Sequence, residues 1–148
     1  MKYFKLFFLF VFSLIIIGCS SDDDNPASPQ TSILKGTWSD SVKVSSQSLS
    51  TSLSIDESSG VVTGSGKISF IDETSSSKKE ISFQTTAAGT FFSKDVVVSV
   101  TSEENKYTFT GKLSNDNSTM SGTAVLILKD NFFIDNGIYT FNINLKKK

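Results

Sequence analysis

The stretch YTFTGKLSNDNSTMSGTAVLIL, residues 107–128, decides the fold. Each half alternates apolar or small side chains with polar ones, and a cluster of Ser, Asn and Asp at residues 114–118 separates the two halves. A period of two places successive side chains on opposite faces of a strand, whereas an amphipathic helix repeats every 3.6 residues. Ser, Asn and Asp are typical of turns. The stretch therefore predicts a β-hairpin with one dry and one wet face.

The same alternation recurs from residue 33 onward. It is clearest at residues 139–145, and further runs occupy residues 38–44, 49–55, 62–70, 81–83 and 96–100. Turn-type clusters separate many of these runs, at residues 57–60, 73–77, 102–105, 114–118 and 135–137. Short strands at regular spacing indicate an all-β domain. We predict an antiparallel meander of about eight strands.

Glycines inside the predicted strands favour a curved sheet. Gly64, Gly66, Gly111 and Gly122 all interrupt alternating runs. Glycine permits tight bends and close backbone approach within a sheet, and closure of the sheet removes exposed strand edges. The sequence therefore predicts a closed or nearly closed barrel, with a two-sheet β-sandwich as the alternative.

The N-terminal stretch has the order of a bacterial secretion signal. Two lysines precede an apolar run at residues 6–17, and Gly18 and Cys19 follow that run. The run is too short for a comfortable membrane span. Together with Ile16, these two residues resemble the lipobox of bacterial lipoproteins. The resemblance implies cleavage between Gly18 and Cys19, diacylglycerol on the Cys19 thiol, and acylation of the new amino terminus. The alternative is an ordinary secretory signal, or a single apolar helix, with an incidental cysteine.

This resemblance divides the chain into a signal peptide at residues 1–18, a lipidated cysteine with a flexible acidic tether at residues 19–32, and a barrel domain at residues 33–148. The tether contains both prolines and few apolar residues. Its Ser-Asp-Asp-Asp run at residues 21–24 resembles the acidic export signal of surface lipoproteins, although charge runs are commonly solvated linker. The localisation expected is a lipid anchor in the outer membrane, with display at the cell surface implied by the acidic run.

Composition narrows the classes of function. The net charge is −1, all 14 cationic side chains are lysines, and the chain has neither arginine nor histidine. Without a basic excess, a nucleic-acid partner is not expected. Cys19 is the only cysteine, so no intramolecular disulfide is available. The absence of imidazole removes the commonest acid/base group and the commonest metal ligand.

Acidic residues are the remaining candidates for chemistry. The adjacent carboxylates at residues 56–57, 72–73 and 103–104 lie at predicted hairpin ends, where solvated turns explain them better than catalysis does. The oxygen-rich run at residues 115–118 could attract calcium, but it lacks the spaced ligands of a dedicated loop and is better read as a hairpin turn. We expect no catalytic residues, no cofactor and no metal site.

Two residues of the first strand are candidates for a ligand site or a barrel end. The run Leu-Lys-Gly-Thr-Trp at residues 34–38 resembles the Gly-x-Trp opening of lipocalins and the Gly-Thr-Trp of avidin-like barrels. That resemblance implies that Trp38 plugs one end of the barrel; from the residues alone, Trp38 is either a core side chain or a ligand contact. Asp40 shares the face of Trp38, so it lies either at the rim or paired inside, because a lone buried carboxylate is costly.

Two functions are consistent with these features. The first is a non-enzymatic barrel, attached to the membrane through the lipid on Cys19, that binds a small apolar or carbohydrate ligand or an envelope protein. The second is a structural or surface-interaction lipoprotein with a filled barrel and no ligand. The two differ in whether the inward face leaves a cavity; its predicted members are Trp38, Phe70, Phe83, Phe109 and Phe141.

Overall fold

The structure is a computed structural model that describes residues 32–74, 77–129 and 137–148. The chain divides into two units, Met1–Gln30 and Thr31–Lys148, and every described residue belongs to the second unit. The predicted signal peptide, the lipidation site Cys19 and nearly all of the predicted tether lie outside the described residues. They therefore stay predictions.

Eight strands form a meander in which each strand pairs with its sequence neighbours and the last pairs with the first. They are β1 (Gly36–Val44), β2 (Gln47–Ser58), β3 (Val61–Asp72), β4 (Lys79–Phe92), β5 (Asp95–Thr101), β6 (Asn105–Leu113), β7 (Thr119–Leu128) and β8 (Ile138–Lys147). All eight pairings are antiparallel. The predicted all-β fold is confirmed, and it is the closed barrel rather than the two-sheet sandwich.

The apolar face of each strand lines the barrel interior. Burial alternates along β8, as the period-two pattern predicts. Trp38, Phe70 and Phe109 are fully buried, and Phe141 is nearly so. Phe83 is only half-buried. Its part of β4 pairs with β3 but has no partner on β5, so that edge of the strand is less covered.

Two hairpins turn at places where no turn cluster is visible in the sequence. β1 and β2 are joined by Ser45 and Ser46, and β4 and β5 are joined by Ser93 and Lys94. Ser45, Ser93 and Lys94 have φ angles of 53°, 46° and 74°. Two-residue hairpins require such left-handed conformations because they match the twist of the strands, and glycine or asparagine normally supplies them. These turns form without the glycine or asparagine that signals a left-handed conformation.

The barrel has two ends, named here by the chain segments found at each. The N-terminal rim contains the start of β1, the turns β2–β3, β4–β5 and β6–β7, and the C-terminal residue. The distal rim contains the connections β1–β2, β3–β4, β5–β6 and β7–β8. The alternating strand directions of a meander place these segments at opposite ends.

Closure between β1 and β8 is confined to the N-terminal half of β1. Their register pairs are Trp38 with Lys147 and Ser39 with Lys146. Beyond Ser39, β1 continues towards the distal rim paired with β2 but not with β8 among the described residues. We call this place, where β1 and β8 separate, the seam.

Candidate functional site

Trp38 is buried inside the barrel, near the start of β1 at the N-terminal rim. The strand period points its side chain inward, opposite Leu53 of β2. The indole Nε1 donates a hydrogen bond of 2.8 Å to the carbonyl oxygen of Leu34, and both side chains are fully buried. Because its one polar atom is satisfied and its ring is enclosed, Trp38 acts as a core side chain, consistent with the first of its two predicted roles.

A lysine from the last strand covers this tryptophan. The Lys147 Nζ lies 5.4 Å from the centroid of the Trp38 ring, and it also donates a hydrogen bond of 2.9 Å to the carbonyl oxygen of Ile33. A cation over an indole face contributes about 0.5–1 kcal/mol at an exposed site. Sequence reasoning missed Lys147 as part of this end. The one sequence feature that could have indicated this role is its position two residues after the inward-facing Leu145 of β8.

Asp40 lies at the seam and links the two strands there. Its Oδ2 accepts a hydrogen bond of 2.8 Å from the backbone N–H of Asn144 on β8, and its Oδ1 accepts one of 2.8 Å from the N–H of Ser41. The residue is half-buried. The carboxylate thus takes over where backbone pairing between β1 and β8 stops. Asp40 is paired, as one of its two predicted settings requires, but its partners are backbone amides and it is half-buried rather than enclosed in the barrel.

Two buried hydroxyl groups lie behind Asp40. Thr51, the register partner of Asp40 on β2, is 2% exposed, and Tyr107 of β6 is fully buried. Neither hydroxyl has a hydrogen bond of good geometry among the described residues, although the two lie close enough for the Thr51 hydroxyl to affect the pKa of Tyr107. Burial raises the pKa of the Tyr107 hydroxyl; the Thr51 hydroxyl opposes this shift and the negative charge of Asp40 adds to it. We call Asp40, Thr51 and Tyr107 the seam cluster.

Apolar side chains occupy the interior around the seam cluster. A Cβ atom added to Gly66 would lie 2.4 Å from Cγ2 of Val100, so the space in front of this glycine is already taken. Towards the distal rim, the ring centroid of Phe70 lies 4.4 Å from that of Tyr139 and 6.1 Å from that of Phe141. The barrel's own side chains therefore pack against one another at both of these levels.

Asp72 is a buried acid, and the prediction of a solvated turn at this residue is wrong. It is 2% exposed at the end of β3. Its Oδ1 accepts hydrogen bonds from the backbone N–H and the hydroxyl of Thr74, at 2.9 and 2.5 Å. Burial favours a higher pKa for Asp72. The hydrogen bonds from Thr74, together with the effects of Lys79 and Gln47, outweigh burial and lower the pKa. The carboxylate stabilises the β3–β4 connection.

Other acids at the N-terminal rim hold turns. Asp56 forms an ion pair of 3.2 Å with Lys35, and Glu57 Oε1 accepts a hydrogen bond of 2.7 Å from the N–H of Gly60. Asp116 accepts hydrogen bonds from the hydroxyls of Ser114 and Ser118, and these bonds lower its pKa to about 2. Residues 115–118 form the predicted hairpin turn between β6 and β7. These carboxylates are occupied with local backbone and lysine partners.

In the part of the chain that the structure describes, no three His, Cys, Asp or Glu side chains are grouped to hold a metal ion. The same residues contain no helix of the length and hydropathy that a membrane crossing requires. Comparison of the chain with protein-family models, with curated proteins and with solved structures gave no match. The proposals below are accordingly argued from the residues of this chain.

Proposed function

We propose that this chain is a lipid-anchored protein of the bacterial cell envelope whose barrel has no enzymatic activity and acts through its outer surface. The membrane attachment is the lipid on Cys19, proposed from the lipobox-like order of Ile16, Gly18 and Cys19. The single observation that carries the surface role is the packed interior around Trp38 and Phe70. A barrel whose own side chains fill its core leaves its outer wall and rims for recognition.

The outer wall offers hydroxyl groups to a partner. Ser69 and Ser82 face each other across β3 and β4 at 2.9 Å, and Ser99 and Thr108 do so across β5 and β6 at 3.2 Å. With one net negative charge in the chain and no arginine, this surface suits a polar envelope protein or glycan better than a nucleic acid. The acidic run at residues 21–24 supports an outer-membrane location with surface display.

The anchor is tested by metabolic labelling of the full chain with an alkyne fatty acid. We expect incorporation in the natural chain and none in Cys19→Ser, with the natural chain recovered in the outer-membrane fraction. Protease treatment of intact cells then reports whether the barrel faces the exterior. A natural chain that incorporates no label while being processed normally contradicts the lipid anchor.

The surface role is tested by photocrosslinking in intact cells. A photoreactive residue replaces Ser82, which is exposed on the outer wall of β4, and a matched control replaces exposed Glu104 at the distal rim. We expect a discrete adduct with an envelope protein or glycan from the outer-wall position and a different pattern from the control. Absence of adducts from a set of outer-wall positions contradicts the surface role.

The seam cluster supports a second candidate function, the binding of a small ligand. The Tyr107 and Thr51 hydroxyls are buried without partners beside the Asp40 carboxylate, and an apolar or carbohydrate ligand bearing a hydroxyl group could satisfy them. A thermal-shift screen of the purified barrel against metabolites and envelope lipids tests this function. A shift that is lost in both Asp40→Asn and Tyr107→Phe supports binding; no shift and no extractable lipid contradict it.

A further inference from the structure

The N-terminal rim carries the most exposed aromatic side chain of the described residues. Phe92, the last residue of β4, is 81% exposed. Val61 begins β3 at the same rim and is 55% exposed, and Ile33, just before β1, is 40% exposed. Three exposed aliphatic residues, Val44, Ile127 and Ile138, also lie at or near the distal rim, so the number of exposed residues does not distinguish the two ends. The N-terminal rim differs in carrying the exposed aromatic ring of Phe92 at the end where the chain enters the barrel.

Lysines accompany these apolar residues around the rim. Six lysines lie there against four carboxylates and the C-terminal carboxylate; the lysines are Lys35, Lys94, Lys112, Lys146, Lys147 and Lys148, and the acids are Asp56, Glu57, Asp95 and Asp116. Two of these acids form ion pairs, Asp56 with Lys35 and Asp95 with Lys112, which leaves four lysines against Glu57, Asp116 and the terminal carboxylate. The backbone N–H of Lys148 bonds to the carbonyl of Thr37, so the exposed C-terminal lysines stay beside the entry of the chain.

The turn that presents Phe92 is built in an unusual way. Ser93 and Lys94 both adopt left-handed backbone conformations, which glycine or asparagine would adopt at lower cost. Lys94 instead extends its side chain along the rim, where its Nζ donates a hydrogen bond of 3.1 Å to the carbonyl oxygen of Ser114. The turn thus exposes the Phe92 ring at the barrel end, two residues before Lys94.

We infer that the N-terminal rim rests on an anionic phospholipid bilayer, with Phe92 and Ile33 entering the headgroup region and the exposed Lys146 and Lys148 contacting lipid phosphates. This inference rests on the proposed lipid anchor for its geometry. Cys19 precedes Ser32 by 13 positions, and a chain of that length spans at most about 45 Å when fully extended. The anchored chain joins the barrel at the rim that carries Phe92. Apolar side chains flanked by lysines are the composition of surfaces that lie in a membrane interface.

The test uses residues 32–148, because all eight strands and the buried core lie within this compact unit. A hexahistidine tag before Ser32 attaches the barrel to vesicles of phosphatidylcholine and phosphatidylglycerol that contain a nickel-chelating lipid. The attachment is independent of Cys19. Absence of a lipid on Cys19 and absence of contact between the rim and the bilayer are therefore distinguished. An environment-sensitive fluorophore is placed on Ser58→Cys at the N-terminal rim or on Glu104→Cys at the distal rim. Both positions are exposed.

We expect the Ser58 label to shift its emission to the blue and to be quenched by brominated acyl chains, while the Glu104 label stays in water. Phe92→Ser is expected to lower the population in contact with the bilayer by about tenfold or more, since burial of one aromatic side chain is lost. The matched control Ile138→Ser removes a 52% exposed residue at the distal rim and is expected to change nothing. Equal emission from the two labels, or equal effects of the two serine variants, overturns the inference.

Discussion

Removal of the buried Tyr107 hydroxyl is expected to stabilise the barrel. The hydroxyl has no hydrogen-bond partner among the described residues, and its side chain is fully buried. An unpaired buried hydroxyl costs about 1–3 kcal/mol, because it gives up its water partners on folding and gains none. Tyr107→Phe keeps the ring and its contacts. Allowing for the small gap left by the oxygen, we expect a gain of about 1 kcal/mol.

The assay is urea unfolding of residues 32–148, followed through the fluorescence of Trp38, for the natural barrel and the variant. Thr108→Val is the matched control, because its hydroxyl lies 3.2 Å from the Ser99 hydroxyl on the outer wall and is therefore already partnered. That control is expected to leave stability unchanged or to lower it. Thr51→Val, which removes the other unpartnered hydroxyl, is expected to stabilise in the same direction as Tyr107→Phe.

The pH dependence gives the prediction a second readout. The folded-state pKa of Tyr107 is raised above its ordinary value, so the neutral group is favoured in the barrel. Below about pH 10, the ordinary tyrosine pKa, the difference in stability between the natural barrel and Tyr107→Phe is therefore constant. As the pH rises from there towards the folded-state pKa, the natural barrel loses stability relative to the variant. The stability difference between the two proteins is expected to change by about 1.4 kcal/mol per pH unit above pH 10.

A loss of about 1 kcal/mol or more in Tyr107→Phe refutes this reasoning, because it means that the hydroxyl has a partner in solution. That outcome moves the argument towards the ligand-binding candidate, since the seam cluster would then hold a bound molecule or an ordered water. A flat difference between the two proteins above pH 10 contradicts the raised pKa. The experiment thus distinguishes a buried hydroxyl without a partner from one that forms a hydrogen bond with a ligand or an ordered water.

Three further changes have definite expected outcomes. Gly66→Ala is expected to destabilise by about 1–3 kcal/mol in urea unfolding, because its Cβ would lie 2.4 Å from Val100 Cγ2. Lys94→Gly is expected to stabilise by about 0.5–1 kcal/mol, because glycine relieves the φ of 74°; a destabilised variant would mean that the Lys94 hydrogen bond matters more than the turn. Asp116 has its pKa lowered to about 2, so its contribution to stability is present above its ordinary value of 3.8 and lost as the pH falls towards 2. Melting temperatures of Asp116→Asn between pH 2 and 5 are expected to fall less steeply than those of the natural barrel.

Particular residues show how far sequence reasoning reached. Alternation at residues 107–128 predicted β6, its turn and β7, because a strand with one buried and one solvated face has apolar and polar residues in alternation. The turns at residues 45–46 and 93–94 were not signalled, because Ser and Lys have no preference for the left-handed conformation that they adopt there. Asp72 was expected in solvent, but Thr74 provides hydrogen bonds that compensate its burial.

By itself, the sequence determined most of the strands, their inward faces and the meander order, because these depend on local periodicity and on turns between neighbours. Of β4 (Lys79–Phe92) it predicted only residues 81–83. Only the tertiary structure decided how the ring closes and what closure brings together. Asp40 meets the Asn144 N–H across 104 positions, Lys147 covers Trp38, and Tyr107 lies near Thr51. No local pattern encodes such contacts, since they depend on the stagger of all eight strands around the barrel.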